Sequence, residues 1–201
     1  YYAPQGWTSD DTDAAERVKI QYGTSMCYPV SSMGSHVSVI PNHQVFRNTP
    51  LHTRANVAYF GTFGYELDLN KLSDEEISEV KQQITFMKEY RELIQFGTFY
   101  RLKSPFEGNE TVWMTVSEDK KTALVFWYRE RNVVNADFTR VRLQGLDPDL
   151  IYRNEYNGTE NYGDELMNLG LLTTDCTAGE PTSENEPCTD YESRIYLLTA
   201  K

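Results

Sequence analysis

The chain of 201 residues is 39% hydrophobic and 24% charged, an ordinary globular composition long enough for one or two cores. Thirty Asp and Glu against nineteen Lys and Arg leave a formal charge of −11, which argues against nucleic acid or an anionic membrane as a partner and favours a neutral ligand. Aromatic residues reach 13%, fourteen of them Tyr; flat rings suit sugar faces and equally suit a β-rich core.

The first residues, YYAPQGW, have no initiator Met, basic stretch or apolar signal core, so the chain reads as the continuation of something longer. No apolar run approaches the ~20 residues that cross a bilayer. AAERVKIQYG (14–23) has helical spacing and ends on Gly, with Asp11, Thr12 or Asp13 as its cap. Within it, Arg17 is expected to pair with Asp13 or Glu16. TSMCYPVSSMGSHVSVIP (24–41) reads as a strand followed by a Ser/Gly-rich loop, with Cys27 as a buried small hydrophobe. TRANVAYFGTFGYELDL (53–69) gives a helical stretch, two glycines and a short strand. The clearest helix is SDEEISEVKQQITFMKEYRELIQFG. Ser73 and Glu76 form a capping box, Ile77, Val80, Ile84, Met87 and Ile94 line one face, and Gly97 stops it.

After Gly97 the period changes to two. TVWMTVSEDKKTALVFWYRER predicts a hairpin turning at Glu118–Lys121, with Val112, Met114 and Val116 on one arm and Leu124, Phe126 and Tyr128 on the other. FTRVRLQGLDPDLIYRNEY and YESRIYLLTA continue as strands, so the second hundred residues read as an antiparallel β-domain, a small sandwich. The first hundred read as alternating strand and helix, too few for eight βα units, which need ~250 residues. Any barrel they belong to begins upstream.

Several chemistries find no motif. His36, His43 and His52 lack metal-ligand spacing, there is no phosphate-cradling glycine loop, and no Gly-x-Ser-x-Gly marks a hydrolase serine. Cys176 and Cys188 flank a polar segment closed by a disulfide or simply ordered as a loop, and Asn109 and Asn157 match the glycosylation pattern, which matters only in a secreted protein. What remains is WTSDDTDA, where Asp10, Asp11 and Asp13 crowd into four positions. Three carboxylates repel one another, and one against an apolar wall such as Trp7 would hold its proton more tightly, as a general acid for a glycosidic oxygen must. The alternative is that the acids cap the following helix, each favoured there by ~0.3–1 kcal/mol.

PQGWTSDDTDAAERVKIQYGTSMCYPVSSMGSHVSVIPNHQ, with TRANVAYFGTFGYELDL and the terminal YGDELMNLGL and YESRIYLL, resembles the α-galactosidases of glycoside hydrolase family 36 over nearly the whole chain. The resemblance implies a fold of α/β plus all-β class: residues 1–100 as the C-terminal part of a (β/α)8 TIM barrel and 101–201 as a C-terminal antiparallel β-sandwich. It implies a retaining exo-enzyme that removes terminal α-galactose from raffinose- and melibiose-type oligosaccharides without cofactor or metal. Asp11 would be the acid/base. The nucleophile would lie in a Lys-Trp-Asp segment of an upstream part of the same protein, since the Trp here are at 7, 113 and 127. Trp7 would line the substrate pocket or tune Asp11, family members are often tetramers, and bacterial ones are commonly cytoplasmic. A transglycosylating or N-acetylgalactosamine-specific relative, or a non-catalytic sugar-binding β-domain, are the competing expectations.

Overall fold

The computed structural model describes residues 3–134, 138–173, 181–183, 186–187 and 190–201, which form two compact units, Tyr1–Phe96 and Gly97–Lys201. Cys176 and Cys188 lie outside the described residues.

The first unit alternates short strands with helices. β1 (Gly6–Trp7) pairs in parallel with β2 (Met33–Gly34), and β3 (His36–Ser38) pairs in parallel with β4 (Gly64–Glu66). Between them run α1 (Ala14–Thr24) and α2 (Leu51–Ala58), and α3 (Asp74–Phe96) closes the unit. Helix α1 buries Ala14, Ala15, Val18 and Tyr22 together with Arg17 and Gln21. The buried side-chain amide of Gln21 completes the neighbouring helix. Its Nε2 donates to Val57 O at 2.9 Å and Phe60 O at 3.2 Å, satisfying carbonyls that the end of α2 leaves open. Gly23 does not end α1; the helix continues to Thr24, and Ser25 closes it through its amide to Gln21 O and its hydroxyl to Tyr22 O.

Residues 24–41 depart from the expected strand and loop. A turn leads into a single 3-10 turn at Val30–Ser32, and the two short strands follow. Pro29 stands at the head of that turn, lacks an amide to offer a sheet, and so moves the strand start downstream. Cys27 is exposed, because its amide is tied to Thr24 O in the turn and its side chain faces outward. Gly61 has a demonstrable steric reason: a Cβ there would stand 2.2 Å from Ser35 Oγ and 2.8 Å from Met33 O, so only glycine lets the chain after α2 pass so close to the strands.

Helix α3 carries the expected capping box in both directions, Ser73 N–H to Glu76 Oε2 at 2.9 Å and Glu76 N–H to Ser73 Oγ at 3.2 Å. Val80, Met87 and Ile94 are buried along one face, while Ile77 and Ile84 are half-buried. Gln83 shares the buried stripe and accepts the Tyr65 hydroxyl at 2.7 Å.

The second unit is built on a six-stranded antiparallel sheet. In chain order its elements are β5 (Thr98–Lys103), β6 (Glu110–Val116), β7 (Thr122–Arg129), β8 (Arg140–Val141), β9 (Ile151–Asn154), β10 (Glu160–Tyr162), α4 (Gly163–Asn168), β11 (Leu171–Leu172), β12 (Pro181–Ser183), β13 (Glu186–Pro187) and β14 (Glu192–Ala200). The sheet order is β10-β9-β14-β7-β6-β5, with β8 and β11 pairing in a second, two-stranded sheet. Val141, Leu143, Leu146, Leu166 and Leu171 cover one face of the large sheet, against Val112, Met114, Val125, Trp127, Tyr196 and Leu198. The segment 138–156 holds two short strands, β8 and β9, separated by a turn, and α4 lies between β10 and β11.

The β6–β7 hairpin turns at residues 118–121, as expected, with Ser117 N–H bonded to Thr122 O. The two apolar rows read from the sequence lie on opposite faces of the sheet. Val112 stands opposite Trp127, Met114 opposite Val125 and Val116 opposite Ala123, whereas Leu124, Phe126 and Tyr128 oppose Thr115, Trp113 and Thr111 on the other face. Both faces of this hairpin are buried, so its apolar residues do not alternate with polar ones. On the second face Trp113 and Phe126 stack at 4.4 Å between ring centroids. None of the described helices is long and apolar enough to cross a membrane.

Candidate active site

The acidic motif leaves the C-terminal end of β1 and enters α1 through a succession of side-chain-to-amide bonds. Ser9 Oγ accepts the Asp11 amide at 3.1 Å, Asp11 Oδ1 accepts the Asp13 amide at 3.0 Å, and Asp13 Oδ2 accepts the Glu16 amide at 3.1 Å. Short oxygen-bearing side chains suit this path because each reaches a backbone N–H two or three residues on. The three acids therefore occupy different environments. Asp10 is exposed, Asp11 is half-buried, and Asp13 is 1% exposed as the N-cap of α1.

Asp13 also meets a cation that sequence reasoning missed. Arg47 pairs through Nη1 with Asp13 Oδ2, and its Nη2 lies 3.5 Å from Glu16 Oε1. Burial pushes the Asp13 carboxyl up from its ordinary value; the Glu16 amide and Arg47 pull it down, and Asp11 pushes it up. Arg17, expected to pair with Asp13 or Glu16, instead points back to the strands and donates to Gly34 O at 2.5 Å and Gln21 Oε1 at 3.4 Å. It is buried, which lowers it to about 10 against the opposing pull of Asp11 and Glu66. The carboxylates of Asp11 and Glu66 thus lie within electrostatic reach of one guanidinium.

Between Asp11 and Asp13, Thr12 is buried and tied to the last residue of β3 and to the segment after it. Ser38 Oγ donates to Thr12 O at 2.8 Å, and Asn42 Nδ2 donates to Thr12 Oγ1 at 3.3 Å. Asp11 Oδ2 has no hydrogen-bond partner among the described residues. One oxygen of Asp11 thus accepts the Asp13 amide.

Trp7, 53% exposed, stacks on His36 with 4.5 Å between ring centroids. It lines an open pocket of about 430 Å³ with Gln5, Thr8, Tyr28 and Met33; Asp11 is not part of that lining. Burial lowers the His36 imidazole, Glu66 opposes that effect and Arg17 adds to it. His43 and His52 are exposed, and no cluster of His, Cys, Asp and Glu among the described residues is arranged to hold a metal. Arg47 carried no recognisable signal: it stands 34 positions from Asp13, inside a loop without periodicity.

Residues 1–97 match the family model described as Melibiase, and residues 110–198 match the glycosyl hydrolase family 36 C-terminal domain. The chain is 56% identical to alpha-galactosidase AgaA of Geobacillus stearothermophilus over 85% of this chain and 23% of that protein. It is 47% identical to alpha-galactosidase 1 of Pediococcus pentosaceus over 100% of this chain and 26% of that protein. Among solved structures, the family 36 alpha-galactosidase AgaA superposes with a TM-score of 0.91 at 49% identity, and the alpha-galactosidase from Lactobacillus brevis with 0.93 at 47%. Each superposition covers the whole of this chain, and 26% and 27% of the respective structures. Variants of the Geobacillus enzyme have been solved with raffinose and with stachyose. The class these matches define is that of the glycoside hydrolases. The chain belongs to glycoside hydrolase family 36 and spans about a quarter of the length of the curated relatives it matches.

Proposed function

We propose that this chain is the C-terminal part of a retaining, exo-acting α-galactosidase that acts on raffinose- and melibiose-type oligosaccharides, with Asp11 as its acid/base. In this reading residues 1–100 complete a (β/α)8 barrel and residues 101–201 are the β-sandwich that follows it. The nucleophilic aspartate comes from an upstream part of the same protein, and the enzyme is a cytoplasmic homotetramer that uses no cofactor. The observation that carries the reading is the geometry of Asp11. It follows the C-terminal end of a parallel strand, where barrel enzymes keep their chemistry, and offers Oδ2 while Oδ1 holds the Asp13 amide.

The chemistry follows from that arrangement. An amide N–H bonds best to the unprotonated oxygen, so the proton of neutral Asp11 sits on Oδ2. As the upstream carboxylate attacks the anomeric carbon, Oδ2 gives its proton to the departing glycosidic oxygen, leaving a galactosyl-enzyme ester and free aglycone. The Asp11 anion then takes a proton from the water that attacks the ester, galactose leaves with retained configuration, and Oδ2 is protonated again. Such a pair of carboxyl groups stands ~5–5.5 Å apart in retaining enzymes. Trp7 would offer its aromatic face to a sugar from its own pocket, of whose lining Asp11 is not part.

The test is hydrolysis of a nitrophenyl α-galactoside by the full-length protein with and without Asp11→Gly, each with added azide. Loss of turnover with the variant, restored by azide as an α-galactosyl azide of retained configuration, is the expected result. Unchanged activity would make the acids a helix cap and would remove Asp11 from the mechanism.

A further inference from the structure

The end of β3 and the loop between it and α2 are fastened to the acidic motif at consecutive residues. Ser38 and Asn42 hold Thr12, while Arg47 holds Asp13. The loop is itself braced. Asn42 Oδ1 accepts the Gln44 and Val45 amides at 2.9 and 3.1 Å, and the Asn42 amide donates to Arg47 O at 2.9 Å. Arg47 is therefore presented to Asp13 by a folded loop and not by a wandering side chain.

Asp13 has two connections that run in opposite directions along the motif. Its side chain takes the Glu16 amide and Arg47, and its own backbone amide clamps Asp11 Oδ1. A helix cap needs only an oxygen, and Asn would supply one. A buried carboxylate next to Asp11 needs a countercharge as well, because two anions so close in sequence repel each other and the second is nearly inaccessible to water.

We infer that Arg47 is a positioning residue for the acid/base: by neutralising and orienting Asp13 it holds the Asp13 amide against Asp11 Oδ1 and so keeps Oδ2 directed to the leaving-group oxygen. The inference rests on the proposed role of Asp11. It assigns Arg47 no contact with substrate.

In kcat/KM, which reports the steps up to departure of the leaving group and not the later hydrolysis of the ester, a displaced general acid harms only those substrates whose leaving group needs a proton. In the full-length protein, kcat/KM for melibiose should fall about 10- to 100-fold in Arg47→Gln, part of the 10²–10⁴ that a positioned acid contributes, while kcat/KM for 2,4-dinitrophenyl α-galactoside is little changed. Asp13→Asn, which keeps the cap and removes the charge that draws Arg47, should show the same selectivity, and Arg47→Lys should restore part of the melibiose activity. The activated substrate also reports on folding. If Arg47→Gln is insoluble, Asp13→Asn and Arg47→Lys decide by the same comparison. Equal losses on both substrates would reduce Arg47 to a purely structural role and overturn the inference, as would no loss on either. Asp11→Gly on the same two substrates separates the two claims. Selective loss there without it in the Arg47 variants defeats the positioning role alone, and no selectivity with Asp11→Gly defeats the assignment of Asp11.

Discussion

In the second unit Glu192 bridges two guanidiniums, 2.6 Å from Arg129 Nη2 and 2.7 Å from Arg194 Nη2. The ring of Trp127 lies beside both, with each guanidinium carbon 5.5 Å from its centroid. Strand register produces the cluster: Glu192 is opposite Arg129, and Arg194 is opposite Trp127. All three charged residues are buried. Glu192→Gln keeps shape and one acceptor and removes the charge, leaving two buried cations against each other. Taking one partner from a buried ion pair costs about 3–5 kcal/mol. For a unit of this size that corresponds to a fall in Tm on the order of 10 °C or more. Replacing all three with apolar residues, Arg129→Met, Glu192→Leu and Arg194→Met, forfeits the cation–π contacts of Arg129 and Arg194 with Trp127 and of Arg194 with Tyr156, about 0.5–1 kcal/mol each, and avoids the desolvation of charge. The triple variant should therefore be more stable than Glu192→Gln alone, in thermal unfolding followed by tryptophan fluorescence. A Glu192→Gln variant within ~1 kcal/mol of the parent would refute the argument, because the guanidiniums would then be compensated by water and not by Glu192.

Two further perturbations test the first unit. His36 is lowered by burial, so its folded form binds a proton less readily than the unfolded chain. The stability it contributes is complete above its ordinary value of 6.5 and is lost as pH falls through that value towards the folded pKa. His36→Gln should flatten that slope in urea titrations, and the imidazole should titrate below 6.5 by NMR; a value at or above 6.5 contradicts the packing of His36 against Trp7. Phe46 has a φ of 56° and is 77% exposed, so its backbone is strained while its ring is hardly buried. Phe46→Gly should be more stable than Phe46→Ala by about 1 kcal/mol, since only glycine relieves the left-handed conformation. The reverse order in chemical denaturation would show that the strain is not there.

How much of this was legible in the sequence depends on how local the cause is. The α3 capping box and the hairpin turn were legible because each is set within a few residues, Ser73 to Glu76 and Ser117 to Thr122. The facing of the hairpin was not, since with both faces buried the apolar residues on neighbouring positions carry no alternation to read. Residues 24–41 misled for a related reason: the apolar run spans a turn, and Pro29, rather than hydrophobicity, decides where the strand begins. In the site, the sequence left Asp11, Thr12 or Asp13 as the cap, of which the structure uses Asp13, while the resemblance alone points to Asp11 as the acid/base. Arg47 reaches Asp13, and Asn42 reaches Thr12, only after β3 and α2 have brought the intervening loop back, which no spacing rule encodes.

The three acids are best understood as a charge arrangement completed by distant cations. Helix α1 presents its positive end to Asp13 and so favours one nearby carboxylate by ~0.3–1 kcal/mol, too little to keep a second anion two residues away and a third beside it. The fold adds Arg47 on the Asp13 side and Arg17 towards Asp11 and Glu66. Asp13 Oδ2 is thereby paired in place, Oδ1 is buried without a hydrogen-bond partner among the described residues, and the Asp13 amide holds Asp11. On the role proposed for Asp11, the cap and the proton carrier are successive rungs of one structure and not alternatives. Removing the charge of the first rung should disturb the chemistry of the second without unravelling the helix they share.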